Sequence, residues 1–197
     1  MIDVKTFAGA QIAPHLDAVA DLRIAVFRDW PYLYAGDRDY EKRYLATYAQ
    51  SPESLFVLAT DAGRVIGAST GIPLADESAA FKKPFLDRGI ALGDVFYFGE
   101  SVLLREYRGH GLGHRFFDER EGYARRLGRF ALTAFCAVEH EAGDPRRPAG
   151  HRDNDAFWIK RGYMRQDDMF CELEWQEVGV AQASMHRLRF WLKPLSP

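Results

Sequence analysis

Between residues 103 and 113 the chain reads Leu-Leu-Arg-Glu-Tyr-Arg-Gly-His-Gly-Leu-Gly, so glycines fall at 109, 111 and 113 between an apolar run and an amphipathic one. Glycine lets successive backbone N–H groups turn toward one concavity, and a helix that follows adds unpaired N–H groups and a positive dipole end. That combination is an anion site, and a pyrophosphate fits it. The plain alternative is a capped helix start with no ligand, but three glycines cost conformational entropy that a cap alone does not return. Dinucleotide sites need G-x-G-x-x-G and nucleotide P-loops end in Gly-Lys-Ser/Thr; neither pattern is present. His110 and His114 lie four apart without a third ligand signal, so no metal is expected.

Just upstream, Glu100 interrupts the run Phe98-Gly99-Glu100-Ser101-Val102. A carboxylate among apolar strand residues is a candidate general base, and the bland reading is a side chain that reaches water or a partner arginine. Tyr97 is the substitute, on the opposite face by strand alternation. Trp30, Tyr32, Tyr34, Tyr97 and Phe98 are candidates to line a pocket for a ring or an alkyl amine, although aromatics more often fill cores. Cys136 reads as a core residue rather than a nucleophile, with no histidine partner nearby in sequence.

The glycine-rich stretch resembles motif A of the GNAT superfamily of N-acetyltransferases, R/Q-x-x-G-x-G/A, with Arg108, Gly111 and Gly113 in its three places. Glu106-Tyr107-Arg108-Gly109 matches the common E-Y-R-G run. Beyond motif A the resemblance rests on element order. It implies an α/β (α+β) fold: a mixed, mostly antiparallel sheet splayed between its fourth and fifth strands and flanked by helices. The implied donor is acetyl-CoA, with the pantetheine arm against the backbone of Val102, Leu103 and Leu104. Its pyrophosphate would meet Arg108, Gly109, His110, Gly111, Leu112, Gly113 and His114, and Asn154 would hold the pantetheine.

The resemblance further implies direct transfer, with general-base assistance, to a primary amine of a small molecule or peptide. One departure bears on the acid. The family pattern F-Y-x-x-x-G-F/Y meets Phe157-Trp158-Ile159-Lys160-Arg161-Gly162-Tyr163 here, so Trp158 stands where a proton-donating Tyr is usual. Either another group protonates the thiolate, or it leaves unprotonated, or the register differs; Tyr163 is expected to fill a packing place. A noncatalytic acyl-CoA-binding module and transfer of a longer acyl group such as succinyl remain the competing functions.

These residues need elements to hold them. Alternation predicts strands over Ile2 to Phe7, Leu55 to Thr60, Arg64 to Leu74, Val95 to Leu104 and Phe130 to Val138, with Met169 to Glu177 as a last one. The pair around Asp61-Ala62-Gly63 should form a hairpin. Helical spacing runs from Leu16 to Phe27, over Asp37 to Gln50, around Glu77 to Asp87, over Gly113 to Leu127 and from Asn154 to Arg161. The polar connection from Glu139 to Asp153 exceeds the usual length, as functional loops often do.

At 197 residues the chain is expected to be one domain spanning 1–197. A 47% hydrophobic share and 27% charged share argue against disorder. With 26 Lys and Arg against 28 Asp and Glu there is no field to gather nucleic acid. No run approaches a membrane span, the N-terminus lacks a signal-peptide pattern, and Cys136 and Cys171 form no metal or disulfide pattern. A cytoplasmic protein acting on a small-molecule or peptide amine is the expectation, with a homodimer left open.

Overall fold

A computed structural model describes residues 1–141 and 143–195. The chain order is β1 (Ile2–Ala8), α1 (Leu16–Phe27), α2 (Arg38–Gln50), β2 (Leu55–Asp61), β3 (Arg64–Pro73), α3 (Ala79–Leu86), β4 (Val95–Tyr97) and β5 (Ser101–Leu103). After these come α4 (Leu112–Leu127), β6 (Leu132–Val138), α5 (Asp155–Lys160), β7 (Met164–Gln176) and β8 (Ala183–Pro194). The strands build one open sheet in the order β1-β2-β3-β4-β6-β8-β7, with β5 on β3. All pairings are antiparallel except β4 with β6. This is the mixed, mostly antiparallel α/β sheet expected from the sequence.

Strand alternation sorts the side chains onto two faces. Val19, Leu22, Leu45, Tyr48 and Phe85 of α1, α2 and α3 pack with Leu58, Tyr97 and Phe190 on one face. On the other, Leu112, Phe116, Phe117 and Ala124 of α4 pack with Val57, Phe96 and Phe135. Helix α4 ends at Gly128, whose φ of 71° supplies the left-handed turn that stops it. Among the described residues no helix is long and apolar enough to cross a membrane.

Three expectations are corrected. β7 begins at Met164 rather than Met169, and it is not the last strand: β8 follows and inserts between β6 and β7. The first half of β8, Ala183 to Arg187, is mostly exposed and polar, which hides its period. The third correction matters most for function. The run Val95 to Leu104 is two strands, because Ile72 pairs with Tyr97 while Ser69 pairs with Ser101. Three residues, 98 to 100, therefore oppose two, 70 and 71. This is a β-bulge, and it re-aims every side chain after it by one position.

Candidate active site

The bulge sits where the sheet opens. β4 bonds β6 in parallel from Val95↔Leu132 to Tyr97↔Ala134, and the N–H of Phe98 makes the last bond, 2.7 Å to the carbonyl of Ala134. Past that point β5 stays on β3 while β6 stays on β8. A cleft of about 250 Å³ fills the gap, lined by Ser101, Leu103, Arg108, Gly113, Val138 and Asn154 among others. This is the splay expected between the fourth and fifth strands, which are here the β4–β5 pair and β6.

Ladder alternation decides which amides face the cleft. Thr70 N–H donates to Glu100 O and Leu104 N–H to Ile66 O, so residues 100, 102 and 104 turn their backbone groups to β3. Ser101 and Leu103 turn theirs to the gap. Of the expected Val102, Leu103 and Leu104, only Leu103 does so; Val102 instead buries its side chain completely in the core. Ser101 was not expected, and counting strand parity from the bulge would have found it.

At the cleft mouth Gly109 and Gly111 adopt φ of 83° and 80°, the left-handed region that glycine occupies without strain. Arg115 N–H makes the first helical bond, to Gly111 O, leaving the amides of Leu112, Gly113 and His114 with no partner inside α4. No side chain caps that end. Arg108 ties the turn to β5 through Nε to Leu103 O at 3.2 Å. His110 and His114 are exposed; His114 Nδ1 meets Arg161 and its ring abuts Phe157. Asn154 stands at the start of α5 with its side chain unused in capping.

Beneath the cleft lies a group outside the residues expected from the sequence. Arg120 of α4 is almost fully buried, and its guanidinium donates to Phe116 O, Thr70 O, Glu100 O and Ser101 Oγ. It thus clamps both strands of the bulge. Burial pulls it down to about 10, which still leaves it charged near neutrality. Phe98 stacks on it at 4.2 Å. Phe98 therefore faces α4 and the floor of the cleft rather than an acceptor pocket, because alternation sends it to the face opposite Tyr97.

The second cavity lies on the other face of the sheet. Tyr32, Tyr34, Tyr40, Tyr44 and Trp175 wall it, with Arg23, Glu41 and Glu100 among them. Tyr32, Glu100 and Cys136 line both cavities, so the two meet there. Glu100 Oε2 accepts from Tyr44 Oη at 2.9 Å and from Arg23 Nη1 at 2.6 Å, and Arg23 Nε pairs with Glu41. Glu100 thus reaches a partner arginine and also stands at the junction of the two cavities. Tyr97, expected on the face opposite Glu100, shares its pocket, because the bulge shifts the phase between them.

Tyr97 Oη lies 3.1 Å from Cys136 Sγ, and burial pushes both groups well up, which makes Cys136 a poor nucleophile at neutral pH. Trp30 does not join Tyr32 and Tyr34 at the pocket. Its ring stacks on His140 at 4.2 Å, toward the 139–153 connection. Tyr163 is buried with its hydroxyl on Thr133 and Glu121, in a packing place, and Trp158 packs on Phe135 and Trp191 at the cleft wall. Arg23, Glu41 and Tyr44 are not among the expected site residues. Their signal was a charged residue inside the apolar face of α1 and, on α2, tyrosines at 40, 44 and 48 with Glu41 beside them.

No family description and no curated protein matches the sequence. Solved structures do match. An acetyltransferase of the GNAT family from Streptococcus pneumoniae superposes with a TM-score of 0.59 at 16% identity, over 98% of this chain and 99% of its own. The ribosomal-protein-alanine N-acetyltransferase of Brucella melitensis does so with 0.60 at 15% identity, over 97% and 99%. A Salmonella typhimurium protein solved with its cofactor acetyl-CoA gives 0.56 at 14% identity, over 99% and 94%. At these identities the likeness establishes architecture.

Proposed function

We propose, for a chain whose fold is that of the GNAT acetyltransferases, that it transfers the acetyl group of acetyl-CoA to a primary amine. The observation that carries this reading is the meeting of two cavities at Glu100. One runs along the open strand edge to unpaired helix amides; the other is a ring-walled pocket of the size of a small amine. The cleft fits the donor: Ser101 and Leu103 offer backbone partners to an amide-bearing arm, and the left-handed glycines with α4's first N–H groups offer an anion cradle. A binding module without chemistry would not need the second pocket. When bound, the donor supplies an activated thioester carbonyl.

Glu100 is then the proton acceptor. An ammonium group loses one proton to it, the freed electron pair forms the C–N bond as the C–S bond breaks, and the second nitrogen proton passes to solvent once the thiolate has left. Because Trp158 cannot protonate the leaving thiolate as a phenol would, Tyr32, which lines both cavities, is the hydroxyl that can do so. Burial pushes its hydroxyl up, which keeps it protonated but makes it a weak donor. Tyr32→Phe should lower turnover by only ~10-fold, below the ~10²–10⁴ typical of acid–base groups, since a thiolate also leaves unprotonated. Steady-state kinetics over pH checks this, and an unchanged rate removes Tyr32 from the reaction.

The reading itself is tested by melting. Acetyl-CoA and CoA at ~100 times a micromolar Kd should stabilise the protein by about 2.7 kcal/mol, a clear rise in Tm. No shift at such concentrations would defeat the assignment. Thiol release with an amine panel then separates an enzyme from an acyl-CoA-binding module, and the same panel with succinyl-CoA separates the donors.

A further inference from the structure

The ring-walled pocket carries more negative than positive charge. Among the described residues lining it, Glu41 and Glu100 are acids and Arg23 is the one base. Each carboxylate leans on that guanidinium through a single oxygen, Oε2 in both cases. The other two oxygens, Glu41 Oε1 and Glu100 Oε1, have no hydrogen-bond partner, although the side chains are only 0% and 2% exposed. A buried carboxylate oxygen without a donor forfeits hydration and recovers nothing. Burial accordingly pushes the Glu41 carboxyl up, against the pull of Arg23. Glu77, by contrast, is satisfied by Tyr48 Oη and Ser78 N–H, each at 2.6 Å. The tyrosine and tryptophan rings add faces that attract a cation, so charge and wall select the same kind of guest.

Resting on the transferase reading above, we propose that the acceptor is a small primary amine that enters as its ammonium ion on an apolar body without a carboxylate, its charge received by Glu41 and Glu100. Glu41 binds; Glu100 binds and then takes the proton. An α-carboxylate would bring a third negative charge against the same wall, and a peptide would bring amide groups that rings cannot satisfy. Free amino acids and protein N-termini are therefore disfavoured as acceptors.

Matched pairs test this on the wild-type protein: 2-phenylethylamine against phenylalanine, pentylamine against norleucine, and the tripeptide amide Phe-Gly-Gly-NH₂ as the peptide probe. Binding is read by melting in the presence of CoA, and turnover by release of thiol from acetyl-CoA. The simple amines should raise Tm and exceed their carboxylated partners in kcat/KM by ~10² or more, since like charges in a desolvated pocket repel strongly. In Glu41→Gln the amine KM should rise at least ~10-fold with kcat close to wild type, the signature of lost binding rather than lost chemistry. Equal or better use of phenylalanine, norleucine or the tripeptide overturns the proposal, as does failure of both amines to bind, or an unchanged KM in a folded Glu41→Gln protein. Amines that raise Tm without releasing thiol leave the ammonium site at Glu41 and Glu100 standing and remove the transferase reading, and with it the role of acceptor. Absence of any acetyl-CoA effect removes that reading at its base.

Discussion

Gly111→Asp is expected to reduce acetyl-CoA affinity by ~10² or more while the fold survives, because it sets a carboxylate beside amides that should receive a pyrophosphate. Two features of the turn make this a clean test. A Cβ added at residue 111 meets nothing within 4 Å, so the side chain causes no clash. The φ of 80° costs a non-glycine residue about 1–2 kcal/mol, and Asp and Asn bear it better than most. Gly111→Asn therefore imposes the same strain and shape without the charge. Titration calorimetry with both variants should show Asn keeping most of the affinity and Asp losing it. Equal loss in the two would assign the effect to backbone conformation, and wild-type affinity in a folded Asp variant would remove the cradle from this turn.

The cradle could be read from the sequence because it is local. Three glycines between an apolar strand and an amphipathic helix state their own backbone geometry, and the resulting φ values at Gly109 and Gly111 are those such a turn needs. The helix spacings of α1, α2 and α4 were legible for the same reason: each depends on neighbours within a few residues. What stayed hidden depends on partners far along the chain. The bulge at Phe98 to Glu100 exists only in relation to Thr70 and Gly71 on β3, and period-two counting cannot reveal an inserted residue. From that one miss follow the misplacement of Tyr97 relative to Glu100 and the omission of Ser101; Phe98 is a separate case, since plain alternation already sets it on the face opposite Tyr97.

Charge partners were hidden in the same way. Arg23, Glu41 and Glu100 come from three elements and meet through tertiary packing. Arg120 looked like a solvated helix residue, yet it lies under the bulge, on four oxygens from β3, β5, α4 and the bulge itself. Trp30 shares a short segment with Tyr32 and Tyr34, but the turn sends its ring toward His140 instead.

The second large effect is expected at Glu100. Glu100→Gln keeps the shape and an amide oxygen that can still accept from Tyr44 and Arg23, so the pocket should hold together; Glu41 remains to pair the guanidinium. Acetyl-CoA affinity should be unchanged, since Glu100 turns its backbone to β3 and its side chain to the acceptor face rather than to the glycine turn. Turnover with an amine acceptor should fall by ~10²–10⁴, the usual worth of a positioned base. Raising the pH should recover part of that loss, because the amine then arrives already neutral and needs no base before attack. Glu100→Asp should fall between the two, since it restores the carboxylate but draws it back from the junction. A folded Glu100→Gln protein with near-normal turnover across pH would pass the role to solvent or to Tyr97, and a matching loss of acetyl-CoA binding would make Glu100 a structural part of the bulge instead.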